Sequence, residues 1–190
     1  MPTNAGVILF AQDVIGWLPG AYLQFLRVDG CKLSDEVVQD HELSGDLFTL
    51  LRELDAVIEA NINQRLVSAS PLREEEVPEY PIIAIRELLM NAIMHRDYAS
   101  TAPVRLTWFT DRIEIQSPGG LYGEASEANF PNQTSYRNPV IAEALKGLGY
   151  VNRCGRGVIR ARDAMAKNRN PEPDFRFEPN YVLATLRRPS

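Results

Sequence analysis

Glu87, Asn91 and His95 stand four residues apart in the run Ile82-Ile-Ala-Ile-Arg-Glu-Leu-Leu-Met-Asn-Ala-Ile-Met-His95, which is otherwise almost wholly apolar. On a helix that spacing makes a polar stripe roughly 12 Å long. A buried helix has no packing reason to carry a carboxylate, an amide and an imidazole on one face, because each costs several kcal/mol unless it is satisfied. Together they suit metal-assisted phosphoryl chemistry, with the Asn91 carbonyl offered to magnesium and Glu87 orienting or deprotonating a water. A plainer account is also open, in which Glu87 pairs with nearby Arg86 or Arg96 and Asn91 caps something local.

A second constellation is Gly155-Arg-Gly157 immediately before a helical stretch. Such a turn offers free backbone N–H groups and the positive end of a helix dipole to phosphate, although glycine at a helix start also serves simple turn geometry. Ser117-Pro-Gly-Gly120 ends a strand, and turn chemistry accounts for it equally well. Between Lys146 and Arg169 seven basic residues (Lys146, Arg153, Arg156, Arg160, Arg162, Lys167, Arg169) face only Asp163. That segment favours an anionic partner, a phosphate group or nucleic acid, or else is a solvated helix face. Cys31 and Cys154 lie far apart, with only His41 and His95 as imidazole partners, so neither a disulfide framework nor a zinc site can be built. No G-x-x-x-x-G-K-S/T phosphate loop occurs.

The elements that must position these residues follow from periodicity. Gly6 to Ala11 is a short apolar run of the kind a buried strand shows, and Tyr22 to Val28 reads as a second strand. From Asp46 to about Leu66 apolar residues recur at helical period, with Ser44 or Asp46 as cap. Residues 68–79, with two prolines and a charge run, read as a linker or a solvent-exposed crossover, and the domain boundary is placed there. Beyond it come a helix from Pro81 to His95, an antiparallel hairpin of Val104–Trp108 with Arg112–Gln116, a turn-rich stretch from Tyr122 to Tyr136, and a helix opened by Asn138-Pro139. A helix from Val158 to about Lys167 and a closing hairpin of Phe175–Phe177 with Tyr181–Leu186 complete an α+β layer sandwich.

Composition bounds the rest. The 190 residues are 45% hydrophobic and 24% charged, enough for one substantial core or two small ones, which rules out disorder throughout. No apolar run approaches a membrane span, so the expectation is a cytoplasmic protein without a membrane partner. Residues 1–80 carry 5 Arg/Lys against 14 Asp/Glu and residues 81–190 carry 15 against 11, so the two stretches read as different units.

The combination of motifs resembles a known family, the GHKL-type ATPase-like domain of transcriptional regulators often labelled RecG-related helicases. There an E-x-x-x-N-x-x-x-H-R-D-Y stretch, here Glu87 to Tyr98, precedes a D-R-I-E-I-x-S/N-P-G-G-L strand and turn, here Asp111 to Leu121. An R-N-P helix start and a G-x-G before a helix follow, here Arg137-Asn-Pro139 and Gly155-Arg-Gly157. The resemblance covers about residues 78–190, with the ATPase-like domain itself set at 80–190. Residues 1–67 look like the end of a Schlafen AlbA-like domain, so the chain is expected to be part of a longer protein, with 68–79 as the link.

The resemblance implies a two-layer α/β sandwich with a mixed sheet, preceded by a smaller α/β unit, and a nucleotide held between its helices and sheet, with ATP and Mg2+ as the cofactors. It implies Glu87 as the water-activating catalytic carboxylate, Asn91 as the magnesium ligand, His95 near phosphate, and Gly155 and Gly157 in the phosphate-binding turn. Where the superfamily's middle box reads D-x-G-x-G, with an aspartate that bonds the adenine amino group, this chain has Ser117, Gly119 and Gly120. A serine hydroxyl can accept the same bond. The frequent glutamate before G-x-G is replaced by Asn152-Arg-Cys. The implied function is an ATP-Mg binding regulatory module with slow hydrolysis. The alternative is a non-catalytic scaffold or dimerisation module of a DNA-associated regulator. DNA contact through the full-length protein and a homo-oligomer are the expected partners.

Overall fold

A computed structural model describes residues 2–132, 135–151 and 155–189. It begins with two short helices, α1 (Asn4–Phe10) and α2 (Val14–Trp17), followed by strands β1 (Leu23–Asp29) and β2 (Glu36–Leu43) and helix α3 (Leu47–Asn61). Then come β3 (Gln64–Ser70), β4 (Arg73–Pro78), α4 (Ile82–His95), β5 (Val104–Trp108) and β6 (Arg112–Pro118). Helices α5 (Pro139–Gly147) and α6 (Gly157–Lys167) precede β7 (Asp174–Glu178) and β8 (Tyr181–Arg187).

Six strands form one mixed sheet in the order β2-β1-β5-β6-β8-β7. Only β1 and β5 run parallel, pairing Leu23 with Val104 and Arg27 with Trp108. The α+β sandwich expected from periodicity is therefore the observed fold, and α4 lies on β6 with α6 packed against α4. One core of Phe25, Leu51, Ile85, Leu89, Leu106, Ile113, Leu145 and Leu186 takes side chains from both charge-distinct stretches, so the sheet runs across the expected boundary.

Two local expectations are corrected. Gly6–Phe10 belongs to helix α1, which has Ala11 as its C-cap and is capped at its start by Thr3, whose hydroxyl accepts from the Gly6 amide at 3.1 Å. Only Val7 and Ile8 of that run are buried and Phe10 is 82% exposed; a short apolar run cannot by its period distinguish a strand from a helix. Residues 68–79 are not an irregular linker, since β3 and β4 pair antiparallel from Gln64 with Pro78 to Ser70 with Arg73. No residue from Gln64 to Pro78 is buried, and a ribbon solvated on both faces needs no alternation of apolar residues that a reader could detect.

Helix α4 stays in place because its C-terminus is sealed by side chains. The chain turns extended at Arg96, so the last carbonyls of α4 lose their intrahelical donors. Ser117 Oγ donates to the Ala92 carbonyl at 2.8 Å, Tyr98 Oη to Ile93 at 3.1 Å, and Asn138 Nδ2 to Met94 at 2.9 Å and Arg96 at 2.7 Å. Arg96 itself is buried, and its guanidinium donates to the carbonyls of Gly20, Ser100 (3.1 Å) and Ala102 (2.7 Å). This pins the loop after α2 to the start of β5. Burial pushes the Tyr98 hydroxyl up to about 12, so it stays a donor at neutral pH.

Candidate functional site

All eight residues singled out by sequence, Glu87, Asn91, His95, Ser117, Gly119, Gly120, Gly155 and Gly157, line one cavity of about 150 Å³. Helix α4 supplies the first three on one face, as the four-residue spacing requires, the end of β6 supplies Ser117, and the turn after it supplies Gly119 and Gly120. The α6 N-terminus closes the opposite side.

Glu87 is buried at 3% exposure. Its Oε1 accepts a short bond from Arg160 of α6 and a longer one, 3.4 Å, from Arg86 of its own helix. Of the two pairings open on sequence grounds, Arg86 is present, whereas Arg96 is turned away to the carbonyls of Gly20, Ser100 and Ala102. Arg160 was missed as a partner: nothing in one sequence indicates that a residue 73 positions away closes on Glu87. Asn91 Nδ2 is buried without a hydrogen-bond partner. The α6 N-terminus fits against both, since a Cβ at Gly157 would stand 2.9 Å from Glu87 Oε2 and 3.2 Å from Asn91 Nδ2. Only a residue without a side chain lets the helix approach this closely.

His95, at the end of α4, stacks on Tyr136 with ring centres 5.7 Å apart and planes at 15°. Burial, reinforced by the charge of Arg137, holds its imidazole below the ordinary histidine range, so it is neutral at pH 7. Arg137 donates to the Gly120 carbonyl at 3.0 Å and lies 4.7 Å from the Tyr122 ring centre, fixing the turn after β6. Gly119, at φ +95°, lets that turn pass against Asp97 and Arg137. Phe130, Phe175 and Phe177 form a mutual cluster, with centres 4.9 to 6.1 Å apart, on the apolar wall. The Phe175-x-Phe177 alternation places both rings on one side of β7, a period-two signal present in the sequence.

The basic segment is divided by the fold. Arg160 and Arg156 line the cavity, and Lys146 pairs with Glu143 at 2.5 Å. Arg162, Lys167 and Arg169 occupy the second half of α6 and the turn after it, while Asn152, Arg153 and Cys154 lie outside the described residues. No group of three or more His, Cys, Asp or Glu residues able to hold a metal unaided occurs among the described residues. A carboxylate and an amide suit a magnesium ion that takes its other ligands from phosphate and water. No described helix is long and apolar enough to cross a membrane.

Residues 101–186, from just before β5 to the end of β8, match the family described as "Putative ATP-dependent DNA helicase recG C-terminal". The match includes Ser117, Gly119, Gly120, Gly155 and Gly157 and begins after Glu87, Asn91 and His95. No curated protein matches the chain. Among solved structures it resembles the DIP2311 protein from Corynebacterium diphtheriae, with 24% identity and a TM-score of 0.82 over 97% of this chain and 37% of that one. The chain thus spans little more than a third of that protein's length, and the likeness is one of fold. The stretch 101–186 is accordingly similar to an ATPase-like domain.

Proposed function

We propose that the cavity between α4, α6 and β6 binds a nucleoside triphosphate with magnesium, as the ligand-sensing part of a regulator. The observation that carries this reading is the close approach of Gly157 to Glu87 and Asn91: a carboxylate, an amide whose Nδ2 is buried without a partner, and a helix start meet at one point. Among the described residues no side chain caps α6 at Arg156, and the first-turn N–H groups of such a helix start are the donors that phosphate takes. The Asn91 amide has the carbonyl oxygen that a phosphate-bound magnesium takes, and magnesium would supply charge neutralisation of the phosphates. The Ser117 proton is committed to Ala92, so toward the cavity its oxygen can only accept, which suits an exocyclic amino group. Glu87 is the residue for activating water, and its engagement by two guanidinium groups favours slow turnover over fast.

The test is thermal unfolding and titration calorimetry with ATP and ADP, each with magnesium. At about 100 times its dissociation constant a nucleotide stabilises the folded chain by about 2.7 kcal/mol, visible as a raised Tm. An unchanged Tm at millimolar nucleotide would instead favour a scaffold that binds none.

A further inference from the structure

Glu87 is a buried carboxylate, and a buried carboxylate is costly unless cations pair with it. Its two cations are not equivalent. Arg86 reaches it from the neighbouring position at 3.4 Å, whereas Arg160 arrives from another helix in a short bond. The Arg160 side chain is 34% exposed and also lines the cavity, so one edge of its guanidinium meets Glu87 while other donors remain for a ligand. Arg160 lies three residues beyond Gly157, on the same face of α6, so the first-turn amides and this guanidinium address the same spot. A phosphate drawn to those amides comes next to Oε2 of Glu87, and two anions at that separation repel unless a cation stands between them. The cavity as it stands, about 150 Å³, is smaller than the roughly 300 Å³ at which small-molecule sites begin. The Arg160–Glu87 bond is among the contacts that hold α6 against α4 and keep it small.

We infer that Arg160 is a phosphate-contacting residue held in reserve by Glu87: its guanidinium turns from the carboxylate to the terminal phosphate of the bound nucleotide, so carboxylate and ligand compete for it. This rests on the nucleotide reading above. The two states differ in which anion Arg160 satisfies, so ligand affinity and the ion pair are linked reciprocally. A specific and unusual sign follows. Neutralising Glu87 should tighten triphosphate binding, whereas a residue that only ligated the metal would loosen it when neutralised.

Calorimetric titration of Mg-ATP and Mg-ADP into the wild-type chain, Glu87→Gln, Arg160→Met, Arg160→Lys and the Glu87→Gln/Arg160→Met double variant tests this. Glu87→Gln is expected to bind ATP about fivefold more tightly. Arg160→Met should lose at least about tenfold for ATP and less than about threefold for ADP, with Arg160→Lys between. Arg160→Met removes the guanidinium for which carboxylate and phosphate compete, so the effects of Glu87→Gln and Arg160→Met on ATP affinity should not add in the double variant. The ATP-to-ADP ratio within one variant does not depend on how much of it is folded, so a general loss of structure cannot imitate the result. Equal losses for ATP and ADP in Arg160→Met, or weakened or unchanged ATP binding in Glu87→Gln, overturn the role of Arg160 and leave the nucleotide reading standing. Absence of binding by both wild type and Glu87→Gln overturns both.

Discussion

Ser117 Oγ donates to the Ala92 carbonyl across 2.8 Å, tying the end of β6 to the open C-terminus of α4. The residue that lines the candidate base pocket is therefore also a helix cap, and one hydroxyl serves two demands with its two kinds of hydrogen-bonding capacity.

This dual service predicts that restoring an aspartate at position 117 harms the protein. Ser117→Ala leaves the Ala92 carbonyl without its donor, a loss of about 1 to 3 kcal/mol. In Ser117→Asp a carboxylate, which has no proton to donate at neutral pH, faces the same carbonyl, so the loss should exceed that of alanine. Urea denaturation of both variants measures the order, and an aspartate variant as stable as wild type would refute it.

Gly157→Val should separate fold from ligand. A Cβ placed 2.9 Å from Glu87 Oε2 forces that carboxylate or α6 to shift, and neither neighbour is free to yield because Glu87 is buried and held by Arg160. ATP affinity is expected to fall at least about tenfold while far-UV circular dichroism keeps its helical signal. Titration calorimetry on the refolded variant decides the matter.

Burial and Arg137 depress the His95 imidazole, so the unfolded chain binds a proton at this residue more readily than the folded one. Stability from this source is fully present above the unfolded value of about 6.5 and is lost as pH falls below it toward the folded value. His95→Gln should flatten the slope of unfolding free energy below about pH 6.5 relative to wild type. Denaturation midpoints collected at several pH values in that window provide the comparison.

Arg169 adopts φ +62° at the end of α6, where its amide bonds Ala166 at 3.1 Å and the Asn170 amide bonds Met165 at 2.9 Å. Helix α5 ends with the same pair of bonds, and there the left-handed position belongs to Gly149 at φ +80°. Arg169→Gly should therefore raise stability by about 0.5 to 1 kcal/mol by relieving the Cβ strain. A midpoint unchanged or lowered on chemical denaturation would show that the arginine side chain contributes more than its backbone costs.

By itself the sequence determined the elements whose residues repeat against a buried face. The α4 stripe, the β5–β6 and β7–β8 hairpins and the Pro139 helix start are legible because alternation and capping are local properties, expressed within a few residues. It determined also that Glu87, Asn91 and His95 share a helix face, since 3.6 residues per turn leaves no other arrangement. Tertiary structure alone decided what stands opposite that face. Gly157 lies 70 positions from Glu87 and Arg160 a further three, and no periodicity links residues so far apart; only the packing of α6 on α4 brings the glycine against the carboxylate and the arginine onto it. Ser117 became a cap for the same reason, because the demand for a donor arises where α4 ends and its supply arises on β6. The β3–β4 ribbon and the exposed edge strand β2 escaped detection from the other side: they bury little, so burial never wrote a pattern into their residues.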